Sequence, residues 1–391
     1  MKVNFQVSIR YNKSIRSKAP HYFLILLLFF SSVIKLSAQD FPIEYKNDSS
    51  FLNNLFGQHK EKNFKITPLP YLGYLPETRL LGGLALLLTC RASKDSTLPF
   101  SYSELTFTFT QNRQAVLEED IFFYIGHHYI LKGYFGYEKY PDRFWGIGPA
   151  TLPGAEERYS SDRIFANLSL LRKVKGRFYV GVKYRMISIF NMNYLRGSHN
   201  LTPEEYKGNR TGGFGPAFIY DTRDNILTPS KGLYISVLNT NYGKLTGSSF
   251  RFSSYELDSR KFIRINSKQV LAFQVTANFI AGTPPFNMYA LLGSDMDMRG
   301  YYKGRFRDKD YMATQVEYRR YLFWRIGMAV FAGVGNVNDN VGNLLSTVPK
   351  YSIGGGLRLK VNRKDNINLR MDYAWGNSPN SGLYAYLSEA F

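Results

Sequence analysis

The segment Gly293-Ser294-Asp295-Met296-Asp297-Met298-Arg299-Gly300-Tyr301, continued by Tyr302-Lys303-Gly304-Arg305-Phe306, suits neither a regular strand nor a helix. Glycine is costly in both, and the charges would fall on every face. It reads as a long loop carrying two carboxylates, an Arg-Gly-aromatic tripeptide and a basic, glycine-containing exit. An arginine placed in this way needs a partner. Taken alone, the stretch fits a surface loop as well as a latch, and its surroundings decide between them.

Those surroundings alternate. Leu105-Thr106-Phe107-Thr108-Phe109-Thr110 does so without a break. Val180, Val182, Tyr184 and Met186 oppose Gly181, Lys183 and Arg185. Leu271, Phe273, Val275 and Ala277 oppose Ala272, Gln274, Thr276 and Asn278. Leu357, Leu359 and Val361 oppose Arg358 and Lys360, and Ile367, Leu369, Met371, Tyr373 and Trp375 oppose Asn366, Asn368, Arg370 and Asp372. A period of two gives each strand one apolar and one wet face. The runs approach the roughly 10 residues of a tilted spanning strand, longer than the usual 5 to 6 of a sandwich. The lysines and arginines would then line a lumen.

Counting such runs predicts strands at 66–74, 79–91, 101–110, 114–126, 129–138, 163–174, 177–190, 212–221, 232–242, 249–264, 268–281, 313–323, 326–335, 351–361, 366–376 and 382–391. Sixteen is an even number, as a closed antiparallel barrel with both ends on one side requires. The fold class is therefore all-β: a transmembrane antiparallel β-barrel of 16 strands, with a long inward-folded loop between strands 11 and 12. Tyr140 to Pro149 is expected as a rigid aromatic loop. No period of 20 to 50 residues repeats, which argues against a solenoid or propeller.

Composition agrees. Aromatic residues are 16% of the chain, with 30 Tyr and 30 Phe, and no later segment reaches the length of a spanning helix. Residues 1–38 read as a signal peptide: Lys2, Arg10, Lys13, Arg16 and Lys18 precede the apolar run Tyr22 to Ile34, and Leu36-Ser37-Ala38 stands before Gln39. Its removal takes six positive charges and lowers the formal balance from +20 to +14. For an exported basic chain, acidic lipid head groups or a charged lumen are better partners than nucleic acid. Residues 39–65, polar and rich in Asn and Lys, read as a flexible periplasmic arm, and 66–391 as the barrel. The single Cys90 allows no internal disulfide.

At three places the sequence resembles the BamA/TamA superfamily of outer-membrane barrels, often called bacterial surface antigens. Asp297-Met298-Arg299-Gly300-Tyr301 resembles that family's Val-Arg-Gly-aromatic loop, with Met298 for valine. Asp221-Thr222-Arg223-Asp224-Asn225, running on through Thr228-Pro229-Ser230-Lys231-Gly232, resembles its Asp-Thr-Arg-Asp turn followed by Pro-x-x-Gly. The chain end, Leu383 to Phe391, is an alternating strand closing on an aromatic, similar to the signal by which such barrels are recognised for assembly.

The resemblance implies that the loop folds into the lumen and that Arg299 pairs with carboxylates on neighbouring strands. Glu317, on the polar face of the next strand, is the natural partner. The family's second carboxylate, in a Phe-x-Asp-x-Gly run, is replaced here by Gly333 within Phe331-Ala332-Gly333-Val334-Gly335, which leaves Asp295 and Asp297 as candidates. Arg299, Gly300, Tyr301 and Glu317 form the expected latch; Asp221, Arg223, Asp224, Pro229 and Gly232 the expected turn; Phe391 the expected terminal signal. The family's POTRA modules are larger than the 27 residues from Gln39 to Lys65 and would not fit there.

The role this resemblance implies is insertion or transport of proteins or lipids at the outer membrane of a Gram-negative bacterium. Outer-membrane lipid, unfolded outer-membrane proteins and a periplasmic or lipoprotein partner would be the other parties. Pro68 and Pro70 cannot donate ladder hydrogen bonds and leave the first strand poorly suited to pairing on both sides. The alternative is a passive or plugged channel, biased toward anions by Lys183, Arg185, Arg319, Arg358, Lys360 and Arg370. Catalysis has little support: His127-His128 fits neither a zinc spacing nor a triad, and no cofactor or metal is expected.

Overall fold

The computed structural model describes residues 64–90, 101–225, 228–362, 367–387 and 389–391. The expected signal peptide and the arm up to residue 63 lie outside the described residues. The first strand, β1 (Phe64–Leu75), begins inside the stretch expected to be arm.

It is followed by β2 (Arg79–Cys90), β3 (Ser101–Thr110), β4 (Ala115–Ile125), β5 (Tyr129–Phe144), β6 (Glu157–Lys175), β7 (Phe178–Gly197), β8 (Asn209–Asp221) and β9 (Gly232–Tyr242). Then come β10 (Phe252–Asn266), β11 (Gln269–Gly282), the short β12 (Ala290–Leu292) and β13 (Phe306–Asp308), and β14 (Asp310–Phe323). β15 (Ile326–Asn338), β16 (Lys350–Asn362), β17 (Ile367–Trp375) and β18 (Ser381–Leu387) complete the chain. Sixteen of these strands form a closed antiparallel barrel, each beside its neighbours in sequence, with β11 beside β14 and β18 beside β1. β12 and β13 pair with each other, as a ribbon within the β11–β14 connection, and Arg307 of β13 also bridges to Gly148.

The alternation sets which face is which. On β16, Ile353 and Leu357 are 62% and 61% exposed, whereas Arg358, next to Leu357, is 5% exposed. Apolar side chains thus face outward, and the charged ones face an interior where other side chains cover them. The register carries this around the wall: Leu357 lies opposite Met371, and Arg358 opposite Arg370.

Two expectations are corrected. β5 continues to Phe144, so Tyr140–Phe144 is strand and only the remainder to Pro149 is loop. This upper part of β5 pairs with β6 while β4 stops opposite Lys139. Pro141 therefore sits where one side of the strand has no ladder to break. At the other end, β18 stops at Leu387, and residues 389–391 leave the strand for the interior.

The seam is the weakest junction. Among the described residues, Tyr74 with Ala385 is the one β1–β18 pair, whereas β1 pairs with β2 along its whole length.

Candidate functional site

The turn after Leu292 puts Gly293 and Gly300 at φ +97° and +106°, where a side chain would be strained, and Met298 at +48°. The chain can thus fold back on itself and present Arg299 sideways. Leu292, Met298 and Tyr301 root the loop in an apolar cluster with Tyr242, Phe252 and Val337.

Arg299 is completely buried. Its Nη2 donates to Glu317 Oε2 at 2.5 Å and its Nη1 to Asp372 Oδ2 at 2.6 Å. The guanidinium lies 3.4 Å from the ring centroid of Phe331. Two carboxylates and an aromatic face compensate a charge that would otherwise be prohibitive to bury.

The Gly300 N–H donates to the Tyr384 hydroxyl at 2.8 Å. The Tyr301 hydroxyl takes the Asn377 N–H at 2.7 Å and lies 2.9 Å from the Tyr351 carbonyl. A Cβ on Gly376 would stand 2.5 Å from the Tyr301 ring, so that glycine makes room for it.

The pair belongs to a larger cluster. Glu317 Oε1 accepts from Arg319 Nε at 2.6 Å, and Asp372 Oδ1 from Arg358. Arg358 Nε reaches Glu389 at 2.7 Å, and Arg370 Nη2 reaches Asp295 at 2.9 Å. Four arginines and four carboxylates, drawn from the loop, β14, β16, β17 and the tail, meet in one place. Of the candidate second partners, Asp295 serves Arg370 instead, and Asp297 accepts from Tyr311 at 2.6 Å. Sequence reasoning misses Asp372, although its parity with Arg358 and Arg370 puts it on the interior face.

The turn motif connects to the same cluster. Arg223 donates to Asp221 through Nε and Nη2, at 3.0 and 2.7 Å, and stacks 4.3 Å from the Tyr234 ring. Asp224 accepts from the Ser230 and Lys231 amides at 2.9 and 3.1 Å and from Arg264 at 2.7 Å. Burial alone would raise its carboxyl; Ser230, Lys231 and Arg264 outweigh that and hold it below the usual range. Gly232, at φ +115°, would carry a Cβ 2.4 Å from the Thr222 carbonyl oxygen, so only glycine fits. Arg319 Nη1 donates to the Pro229 carbonyl at 3.3 Å, which joins turn and latch.

Phe391 is buried against Phe262 and Ala272, and its carbonyl accepts from Arg319 Nη2 at 2.8 Å. Lys303 at the loop exit donates its amide to Glu77 on the β1–β2 turn at 2.6 Å. Burial pushes the Glu77 carboxyl up against the pull of that amide. His127 and His128 lie in the β4–β5 turn. Among the described residues, no three His, Cys, Asp or Glu side chains gather as a metal site.

The Omp85 superfamily domain matches this chain over residues 102–391, well over half its length. The chain belongs to the Omp85 superfamily. Omp85 barrels act in the outer membrane of Gram-negative bacteria as assembly or translocation barrels, and this chain shares that family-level character. Its barrel is similar to that of BamA from Haemophilus ducreyi lacking POTRA domains 1–3, with a TM-score of 0.56 at 15% identity, over 84% of this chain and 71% of that one. CdiB from Acinetobacter baumannii gives 0.55 at 12%, over 85% and 60%. CdiB from Escherichia coli gives 0.56 at 10%, over 89% and 68%. At such identities the likeness carries the Omp85 fold alone. No curated protein matches the sequence.

Proposed function

We propose that this Omp85 barrel inserts or transports proteins or lipids at the outer membrane by opening between β1 and β18. The observation that carries this reading is the seam: among the described residues one backbone pair, Tyr74 with Ala385, joins the two strands, where β17 and β18 share seven. A strand edge so little occupied is a template for an incoming strand. Unfolded outer-membrane proteins are the proposed clients, with a periplasmic or lipoprotein partner delivering them. Arg299, with Glu317 and Asp372, would hold the wall on the β14–β17 side rigid while the seam moves.

The channel alternative has less support. Lys183 and Arg185 share Glu256, at 3.2 and 3.3 Å, and Arg319, Arg358 and Arg370 are held by the central carboxylates. Little free positive charge is left there to select anions.

The test is a reversible lock. In a Cys90→Ser background, Tyr74→Cys with Ala385→Cys should form a disulfide on oxidation. Purified protein in liposomes should then stop catalysing insertion of a urea-unfolded barrel and recover on reduction. Unchanged insertion by the locked protein would reject an opening seam.

A further inference from the structure

At the barrel end where β1 begins and β18 stops, the end of β14 and the β14–β15 turn project two aromatic side chains. Phe323 and Trp324 are 64% and 63% exposed, and Arg325 sits 5.5 Å over the Trp324 ring. Aromatic residues that protrude from a spanning barrel belong at head-group depth. A cavity of about 440 Å³ opens beside this turn.

Among the described residues, its lining carries seven cationic side chains against two carboxylates, Asp224 and Glu389. Both carboxylates are already taken, Asp224 by Arg264 and Glu389 by Arg358, each at 2.7 Å. Lys268 and Arg320, both exposed and both in the lining, have no ion pair among the described residues. Deeper in, Arg358 Nη2 is buried without a hydrogen-bond partner, its contact with Glu317 Oε1 being 3.6 Å.

The lining also crosses the wall. Arg319 and Arg358 belong to the interior face. Arg320 and Met328 lie opposite each other on the outer face, in line with the exposed Leu357. An occupant that satisfies both sides is anionic at one end and apolar at the other.

We propose that this cavity binds the phosphate-bearing head group of an anionic phospholipid, with its acyl chains lying outside along Met328 and Leu357. Phosphate oxygens suit the fork of Arg320 and the point charge of Lys268. The aromatic turn places the opening at the depth where such head groups lie. This site is separate from the seam and stands whether or not the seam opens.

Native mass spectrometry of the full chain in detergent, titrated with phosphatidylglycerol or with phosphatidylcholine of the same acyl chains, tests it. Phosphatidylglycerol should bind at roughly tenfold lower concentration, as two or more uncompensated cations imply. Lys268→Ala with Arg320→Ala should abolish that preference while the barrel still migrates as folded in an unheated gel. Should the double variant fail to fold, Lys268→Ala alone, in the β10–β11 turn, should lower the preference severalfold. Equal binding of the two lipids, or a preference kept by the variants, would overturn the proposal. Inorganic phosphate should compete only at millimolar concentration; if it strips the lipid at micromolar concentration, the site takes free phosphate and the lipid assignment falls.

Discussion

Met298 and Gly333 share one space: a Cβ on Gly333 would stand 3.3 Å from Met298 Sδ and 3.2 Å from Gln315 Cβ. The two departures from the resembled family, methionine for valine and glycine for aspartate, thus meet in space. The thioether fills the space beside the position where the family's second carboxylate would begin, and Asp372 supplies the carboxylate from another strand. Gly333→Asp should destabilise the barrel by about 1 to 3 kcal/mol through overpacking. Adding Met298→Val should recover much of this, as read from unfolding midpoints in detergent. A neutral single variant would show that Met298 is not the limiting contact.

Removing the guanidinium leaves two buried carboxylates facing each other. Arg299→Ala should cost about 3 to 5 kcal/mol, the usual penalty for breaking a buried pair. Glu317→Gln and Asp372→Asn should each cost less, because Arg299 keeps its other carboxylate and the substituted amide oxygen still accepts a hydrogen bond. A double-mutant cycle between Arg299 and Asp372, from urea midpoints, should give a coupling above about 0.5 kcal/mol; additivity would mean that the contact carries no weight.

Legibility in the sequence differs from part to part. The wall is legible because Leu357 and Leu359 against Arg358 and Lys360 state a period of two with no competing pattern. Glu317 is legible because it lies on the polar face of the strand that immediately follows the loop. Asp372 is not, since its link to Arg299 depends on which strands curve round to face one another. The tail misleads for a related reason. Leu383 to Phe391 alternates like strand, yet Glu389 finds Arg358 and Phe391 finds Phe262, contacts no local pattern announces.

Loop release should be visible as current. In planar bilayers the wild-type barrel should conduct little, because the Arg299 cluster joins the loop to the interior faces of β14 and β17. Arg299→Ala should raise the single-channel conductance severalfold. An unchanged conductance would mean that the loop does not limit the pore.

The turn should respond to acid. The Asp224 carboxyl is depressed in the folded state, so its stabilising contribution is present above the ordinary aspartate value of about 3.9 and is lost as pH falls through the depressed one. Wild type should therefore melt above Asp224→Asn at pH 7, and the two should converge as the pH falls below the ordinary aspartate range. A gap that persists at acid pH would assign the effect to shape rather than charge.

Chain order gives the arginine cluster a chronology. Glu317 follows Arg299 by 18 positions and Asp372 by 73. A nascent barrel holding its strands only as far as β14 could offer Arg299 one carboxylate; the second arrives with β17, next to last. Contacts this far apart in sequence close late and at an entropic cost. The arginine thus stays half-satisfied until almost the whole wall is present.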